Sequence, residues 1–260
     1  MTASSALPTL FVSHGAPPLA LEDSPTGRFL DGLGAQLPRP DAIVIASAHF
    51  AAAQAIVGAH PQPPTVHDFR GFPAPLYALR YAAPGAPVLA ARVVELLRAA
   101  DLDARADAHA GLDHGAWVPL RRMYPQADIP VVPLAVNPGA DADWHFRLGA
   151  ALAPLRREGA LLIGSGGFVH NLGAIDWQGG ATPSWASAFA DWLDGCLLAG
   201  DSAAARDWRQ RAPQPRLAHP TPEHLWPLFV AWGAAGGTAR PLHRAWEFGS
   251  LALHAYAFDS

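Results

Sequence analysis

Short apolar runs that break off at histidines constrain this chain most. Thr9–Val12 leads into Ser13-His14-Gly15, Ala42–Ala46 continues through Ser47 to His49, and Ala160–Ile163 enters a glycine-rich turn and reaches His170. Runs of this length, apolar or β-branched and bounded by Gly, Pro or Ser, read as strands. Gln54–Gly58 and Pro130–Val136 read the same way. Between them lie segments with apolar residues at helical spacing: Pro87–Ala100, Asp141–Glu158, Pro183–Ala199 and Pro222–Ala235. The second opens on an Asp-rich turn suited to N-capping, and the last two carry Pro in or near their first turn. Strands alternating with helices predict an α/β fold, here a single domain over residues 1–260 with a central mixed, mostly parallel sheet flanked by helices. Pro61–Pro84 is long, aromatic and proline-rich, the kind of segment that walls or covers a site.

Composition removes several classes of chemistry. All 18 basic residues are Arg, so neither a Schiff-base lysine nor a phosphate-binding Walker lysine exists. Cys196 is the only cysteine, which excludes an intramolecular disulfide and a thiolate metal cluster and suits a reducing cytoplasm. The net charge is −4 and the arginines are dispersed, so nucleic acid is not an expected partner. No uninterrupted apolar run of about 18 residues suggests a membrane span, and no basic-then-apolar leader suggests secretion. Nothing in the sequence speaks to oligomeric state.

The histidines carry the positive signal. Ligands of open α/β sheets bind at the carboxyl edge of the strands, and three strands deliver His14, His49 and His170 just past that end. His114 in GLDHGAWVPL and His224 in HPTPEHLWPL stand in polar, well-punctuated segments. Taken singly, each could be a hydrogen-bonded structural group, or, for His224, part of a helix cap. Together they suggest a site for a divalent transition metal, since neutral imidazoles favour Fe, Zn and their neighbours over Mg or Ca. His60, His109, His145, His243 and His254 lack such a context and read as structural or surface residues. A zinc hydrolase would need a carboxylate base, for which Glu223 and Asp113 are candidates. Ser165 lacks the G-x-S-x-G spacing of a nucleophile elbow, and the surrounding glycines lack the pattern of a dinucleotide or phosphate loop.

The segments SHGAPPLAL, SAHF, HDFRGFPAPLYALRYAAPG, GLDHGAWVPLRRMYPQADIPVVPLAVNP, GSGGFVHNL and HPTPEHLWPLFVAWGAA, in that order, resemble the 4,5-DOPA extradiol dioxygenase family within the class III extradiol ring-cleavage dioxygenases. The resemblance runs from about Leu10 to Tyr256. It implies a non-haem Fe(II) enzyme that opens a catechol with O2, with Zn(II) as a plausible ion in purified protein. By the same resemblance His14, His49 and His224 fall on metal-ligand positions. His170 falls at the metal, as a ligand or a proton-handling group, and His114 falls on an acid/base or substrate-holding position. Phe72, with Phe69 and Tyr77, is placed to wall the substrate ring, and Arg70 to meet a substrate carboxylate; ordinary packing and a solvated arginine are the competing readings. A zinc-binding protein of the same fold without dioxygenase activity and a zinc hydrolase are the alternative functions.

Overall fold

The computed structural model describes residues 6–259, so residues 1–5 and 260 of the expected domain lie outside the described residues. The strands are β1 (Thr9–Ser13), β2 (Ala42–Ala51), β3 (Ala55–Gly58), β4 (Ala104–Asp107), β5 (Val131–Val136), β6 (Ala160–Gly166), β7 (Ala239–His243), β8 (Trp246–Glu247), β9 (Leu251–Ala252) and β10 (Ala255–Phe258). The helices are α1 (Pro25–Gln36), α2 (Ala74–Ala78), α3 (Pro87–Ala99), α4 (His114–Met123), α5 (Ala142–Leu152), α6 (Ser184–Ala199), α7 (Ser202–Arg206), α8 (Trp208–Arg211), α9 (Pro215–Ala218) and α10 (Trp226–Ala235).

One sheet runs in the order β4-β3-β5-β2-β6-β1-β10-β7, with β8 and β9 paired separately. Its middle, β5-β2-β6-β1, is parallel. Antiparallel pairing brings β3 against β5 and places β10 and β7 beyond β1. This is the expected single α/β domain with a mixed, mostly parallel sheet.

Alternate residues of the central strands enter different cores, as the two-residue period requires. Leu10, Val12, Ile43, Ile45, Leu161 and Ile163 pack with α1 and α4. Val44, Ala46 and Leu162 pack with α3, α5 and α10. Both faces are therefore covered, which is why the runs are apolar throughout rather than alternating. In α10 every residue from Trp226 to Ala234 is buried, because it lies against β6, β1 and α5 at once.

The strand ends differ from the expectation in one informative way. His49 does not follow β2; it lies within it. Ser47 pairs with Ala135 and Ala51 with Val136, so Ala48, His49 and Phe50 form an irregularity inserted between adjacent positions of β5. Such insertions twist a strand and re-aim its side chains. Helix α4 was also not foreseen: GLDHGAWVPL is not a turn-rich segment but a helix start, with Asp113 as N-cap accepting from the Ala116 N–H.

Three histidines outside the pocket are buried and structural. His145 Nδ1 donates to the Asp141 carbonyl at 2.7 Å and its Nε2 accepts from Asn137 N–H at 3.1 Å. His219 Nε2 donates to the Phe168 carbonyl at 3.1 Å. His254 packs against Phe168 and Trp246. Burial lowers His145 and His254 from 6.5 to about 4, and His219 to about 3. Since the folded state holds them neutral, unfolding takes up protons once the pH falls below the ordinary histidine value. Their contribution to stability is complete above pH about 6.5 and is lost as the pH falls toward the folded values. Metal-free protein should accordingly show a thermal midpoint that drops steeply between about pH 6.5 and 4; a flat profile over that window would contradict the assignment.

Candidate metal centre

His14, His49 and His224 reach one point from three elements. His14 follows β1, whose Gly15 turns the chain away with a φ of 64°. His49 sits in the β2 irregularity. His224 precedes α10, whose close approach to β6 is permitted by glycine: a Cβ on Gly166 would stand 2.1 Å from the His224 carbonyl oxygen. Gly166 thus serves close packing on the segment that opens α10, and Gly164, where a Cβ would stand 2.0 Å from the Pro227 carbonyl oxygen, does the same.

The hydrogen-bond partners assign the tautomers of His14 and His224. His14 Nδ1 lies 3.1 Å from Ser165 Oγ, and that hydroxyl donates its own hydrogen to the Gly115 carbonyl at 2.5 Å. His14 Nδ1 must therefore carry the proton, leaving Nε2 with a lone pair. His224 Nδ1 donates to Glu223 Oε1 at 3.1 Å. His49 Nδ1 lies 3.4 Å from Asp68 Oδ2. All three Nε2 atoms face one another, with His49 Nε2 at 3.1 Å from His14 Nε2 and 3.2 Å from His224 Nε2. At least two of these Nε2 atoms present bare lone pairs, which repel, and only His49 could supply a bridging proton, to one neighbour at a time. A single cation resolves the conflict, because nitrogen ligands about 2.0–2.1 Å from one ion lie at separations of this size. The outer acceptors are those that orient metal-binding imidazoles. The residues fit a divalent ion, and neutral imidazoles suit Fe(II) and Zn(II) alike.

Burial is the largest cause lowering all three imidazoles, helped by neighbouring histidines. His14 and His224 fall well below 6.5, and His49 falls to about 3. They are neutral, and hence competent ligands, at ordinary pH.

Asp68 is the functional residue that sequence reasoning missed. Its carboxylate accepts from His114 Nδ1 at 2.9 and 3.0 Å, and from the His114 backbone N–H at 3.0 Å. Its other neighbour is His49. Burial raises its pKa, but the hydrogen bonds and charge of His114, with a smaller contribution from His49, outweigh burial and bring it to about 2. The one signal in the sequence was its place in His67-Asp68-Phe69, inside the long loop expected over the mouth. That loop is indeed there: Asp68, Phe69 and Phe72 line the pocket, and the buried Trp117 anchors it by donating to the Val66 carbonyl at 3.0 Å.

The remaining expectations divide. His114 and His170 line the same pocket as His14, His49 and His224. His170 is outside the converging group, its ring stacked on His224 at 3.5 Å between centroids. Phe72 lines the pocket, but Arg70 is exposed and does not, because its side chain leaves the loop on the solvent side. Neither carboxylate considered as a hydrolytic base lines the pocket. Glu223 holds His224, and Asp113 is buried beneath α4, accepting from Ser47 Oγ at 2.6 Å. Burial raises Asp113 to about 6, with the Ser47 hydrogen bond opposing.

A cluster of neutral imidazoles, each held from behind by an acceptor and opening on an apolar pocket at a sheet's carboxyl edge, defines a non-haem metalloenzyme. Residues 9–258 match the family described as the catalytic LigB subunit of aromatic ring-opening dioxygenase, and the chain belongs to that family. It is thereby a metal-dependent extradiol dioxygenase, an oxidoreductase acting on a small aromatic substrate with O2. It is 43% identical over 259 residues to a 4,5-DOPA dioxygenase extradiol of Beta vulgaris, covering 97% of this chain and 96% of that one. A protein of the same name from Escherichia coli K12 is 42% identical over 247 residues, covering 90% and 87%. A crystal structure of an uncharacterized protein from Escherichia coli K12 superposes with a TM-score of 0.83 at 36% identity, covering 97% of this chain and 99% of that one. Among the described residues no helix is long and apolar enough to cross a membrane.

Two outcomes test the geometry. Asp68→Asn should weaken metal binding by about 10–100-fold, the usual effect of losing an acceptor behind a ligand; unchanged affinity in a chelator competition would remove Asp68 from that role. Gly166→Ala should lower stability by about 1–3 kcal/mol, as overpacking does, and displace His224. A variant with wild-type melting and metal content would show that the close approach is not needed.

Proposed function

We propose that this chain is an Fe(II)-dependent extradiol dioxygenase that opens a catechol ring beside its two hydroxyls, with His14, His49 and His224 as the metal ligands. The observation that carries this is the convergence of three Nε2 atoms beside an apolar pocket that also holds two further histidines. When bound, Fe(II) supplies the charge that acidifies the catechol hydroxyls and the redox chemistry that O2 requires. Zn(II) fits the same nitrogens and competes for them. The relatives' name points to DOPA or a similar catechol as the starting candidate. The lone, buried Cys196 suits a reducing cytoplasm.

The chain's own residues divide the remaining work. His114 keeps its Nδ1 proton on Asp68, so Nε2 is the nitrogen free to take a catechol proton and return it to the opened product. Asp68 plays the orienting part, and it ties His114 to His49 through one carboxylate. His170, lowered by burial to about 4, stays neutral against His224 and is a second proton-handling group at the pocket wall. Phe69 meets His114 edge-on, with centroids 5.7 Å apart, and with Phe72 forms an aromatic wall that excludes water from the ring.

Anaerobic reconstitution with Fe(II), followed by a catechol in air, should give O2 uptake and a yellow ring-opened product. Absence of both across a catechol panel would refute the reading. His114→Ala should keep its metal and lose about 10²–10⁴ in turnover, the range for a lost acid/base group. His14→Ala should lose metal and activity together. Near-normal turnover in His114→Ala, with its melting temperature preserved, would overturn the role given to His114.

A further inference from the structure

The pocket constrains which catechol it takes. Its volume is about 270 Å³. A cavity of roughly 150 Å³ holds a benzene molecule, so one ring and a short substituent fill this one. Beyond the histidines and Asp68 the side chains lining it are apolar, among them Pro17, Val169, Leu172, Trp177, Leu251 and Leu253. No arginine lines it, and the chain has no lysine. Arg70, the expected partner of a carboxylate, faces solvent outside it. The only formally charged lining residue is Asp68, whose sign is wrong for a carboxylate and whose oxygens are already engaged by His114 and His49.

The rim agrees with the interior. Leu172 and Trp177 line the pocket yet are 61% and 69% exposed. They are two of the few large apolar side chains on the surface, and they sit together at this mouth. A substituent leaving the ring toward solvent would cover them, and apolar area removed from water is favourable. A carboxylate in the same position would be partly desolvated with no cation to meet it, which is unfavourable.

Resting on the ring-cleavage reading above, we propose that the preferred substrates are catechols carrying a short, uncharged, apolar substituent, with Leu172 and Trp177 as specificity-determining residues. The amino-acid side chain of DOPA is then a poor fit rather than the feature recognised.

The test compares near-isosteres on the Fe(II) enzyme: 4-propylcatechol, 3-(3,4-dihydroxyphenyl)propionate, in which a carboxylate replaces the terminal methyl, and DOPA. Propylcatechol should exceed both in kcat/KM by at least about tenfold, the scale set by one unpaired polar group. The same order should appear in dissociation constants measured by calorimetry on Zn(II)-loaded protein, which binds without turnover. Leu172→Arg, at an exposed position, should narrow the propyl-to-propionate ratio by raising kcat/KM for the propionate. If the propionate or DOPA equals or exceeds propylcatechol, the specificity inference falls while ring cleavage stands. If the Fe(II) enzyme opens none of the three, the ring-cleavage reading falls and takes this inference with it.

Discussion

Three neutral imidazoles turning their Nε2 atoms to one point is the arrangement on which the rest of this structure depends. It persists because each ring is fixed from the far side: His14 by Ser165, His224 by Glu223, and His49 by Asp68. Those acceptors in turn are fixed by the fold. Ser165 is spoken for by Gly115 at the start of α4, and Glu223 lies just before α10. Rings held from behind with their Nε2 atoms converging are a scaffold preorganised for a cation.

The same logic joins binding to chemistry. Asp68 touches a ligand and the proposed acid/base residue at once, so the loop that closes the pocket also sets the tautomer of His114. Ser47 continues the coupling on the other side: its hydroxyl holds the His49 backbone N–H at 3.2 Å and donates to Asp113, which caps α4 just before His114. A distortion of the β2 irregularity therefore reaches His114 by two routes, through the Asp68 carboxylate and through the helix cap.

The sequence made the sheet and the histidine cluster readable because both are written in local patterns. Apolar runs mark β1, β2, β5 and β6, and the residues after them mark the carboxyl edge. What was not readable depended on contacts between distant segments. Asp68 looks like any loop aspartate until α4 is placed against it. The β2 irregularity has no signature in Ala48-His49-Phe50, since an insertion is defined only against the register of β5. The start of α4 was obscured by Gly111 and Gly115, which suit turns. In the fold a Cβ on Gly115 would stand 2.5 Å from Ser47 Oγ, so this glycine reflects crowding and not a turn. Arg70 stayed open between two readings because proximity in sequence to Phe69 and Phe72 says nothing about which side of a loop a long side chain leaves; in the fold it is exposed.

The three proposed ligands stand at positions 14, 49 and 224, so the centre is assembled from opposite ends of the polypeptide. Most of the chain must be synthesised before the last imidazole exists, and α10 must dock on β6 before that imidazole faces the other two. Loop-closure entropy makes so distant a pairing a late event. A nascent or truncated chain can offer an ion two imidazoles at most from this set. With these three as ligands, an ion would be held in full only by a molecule whose first and last segments have found each other.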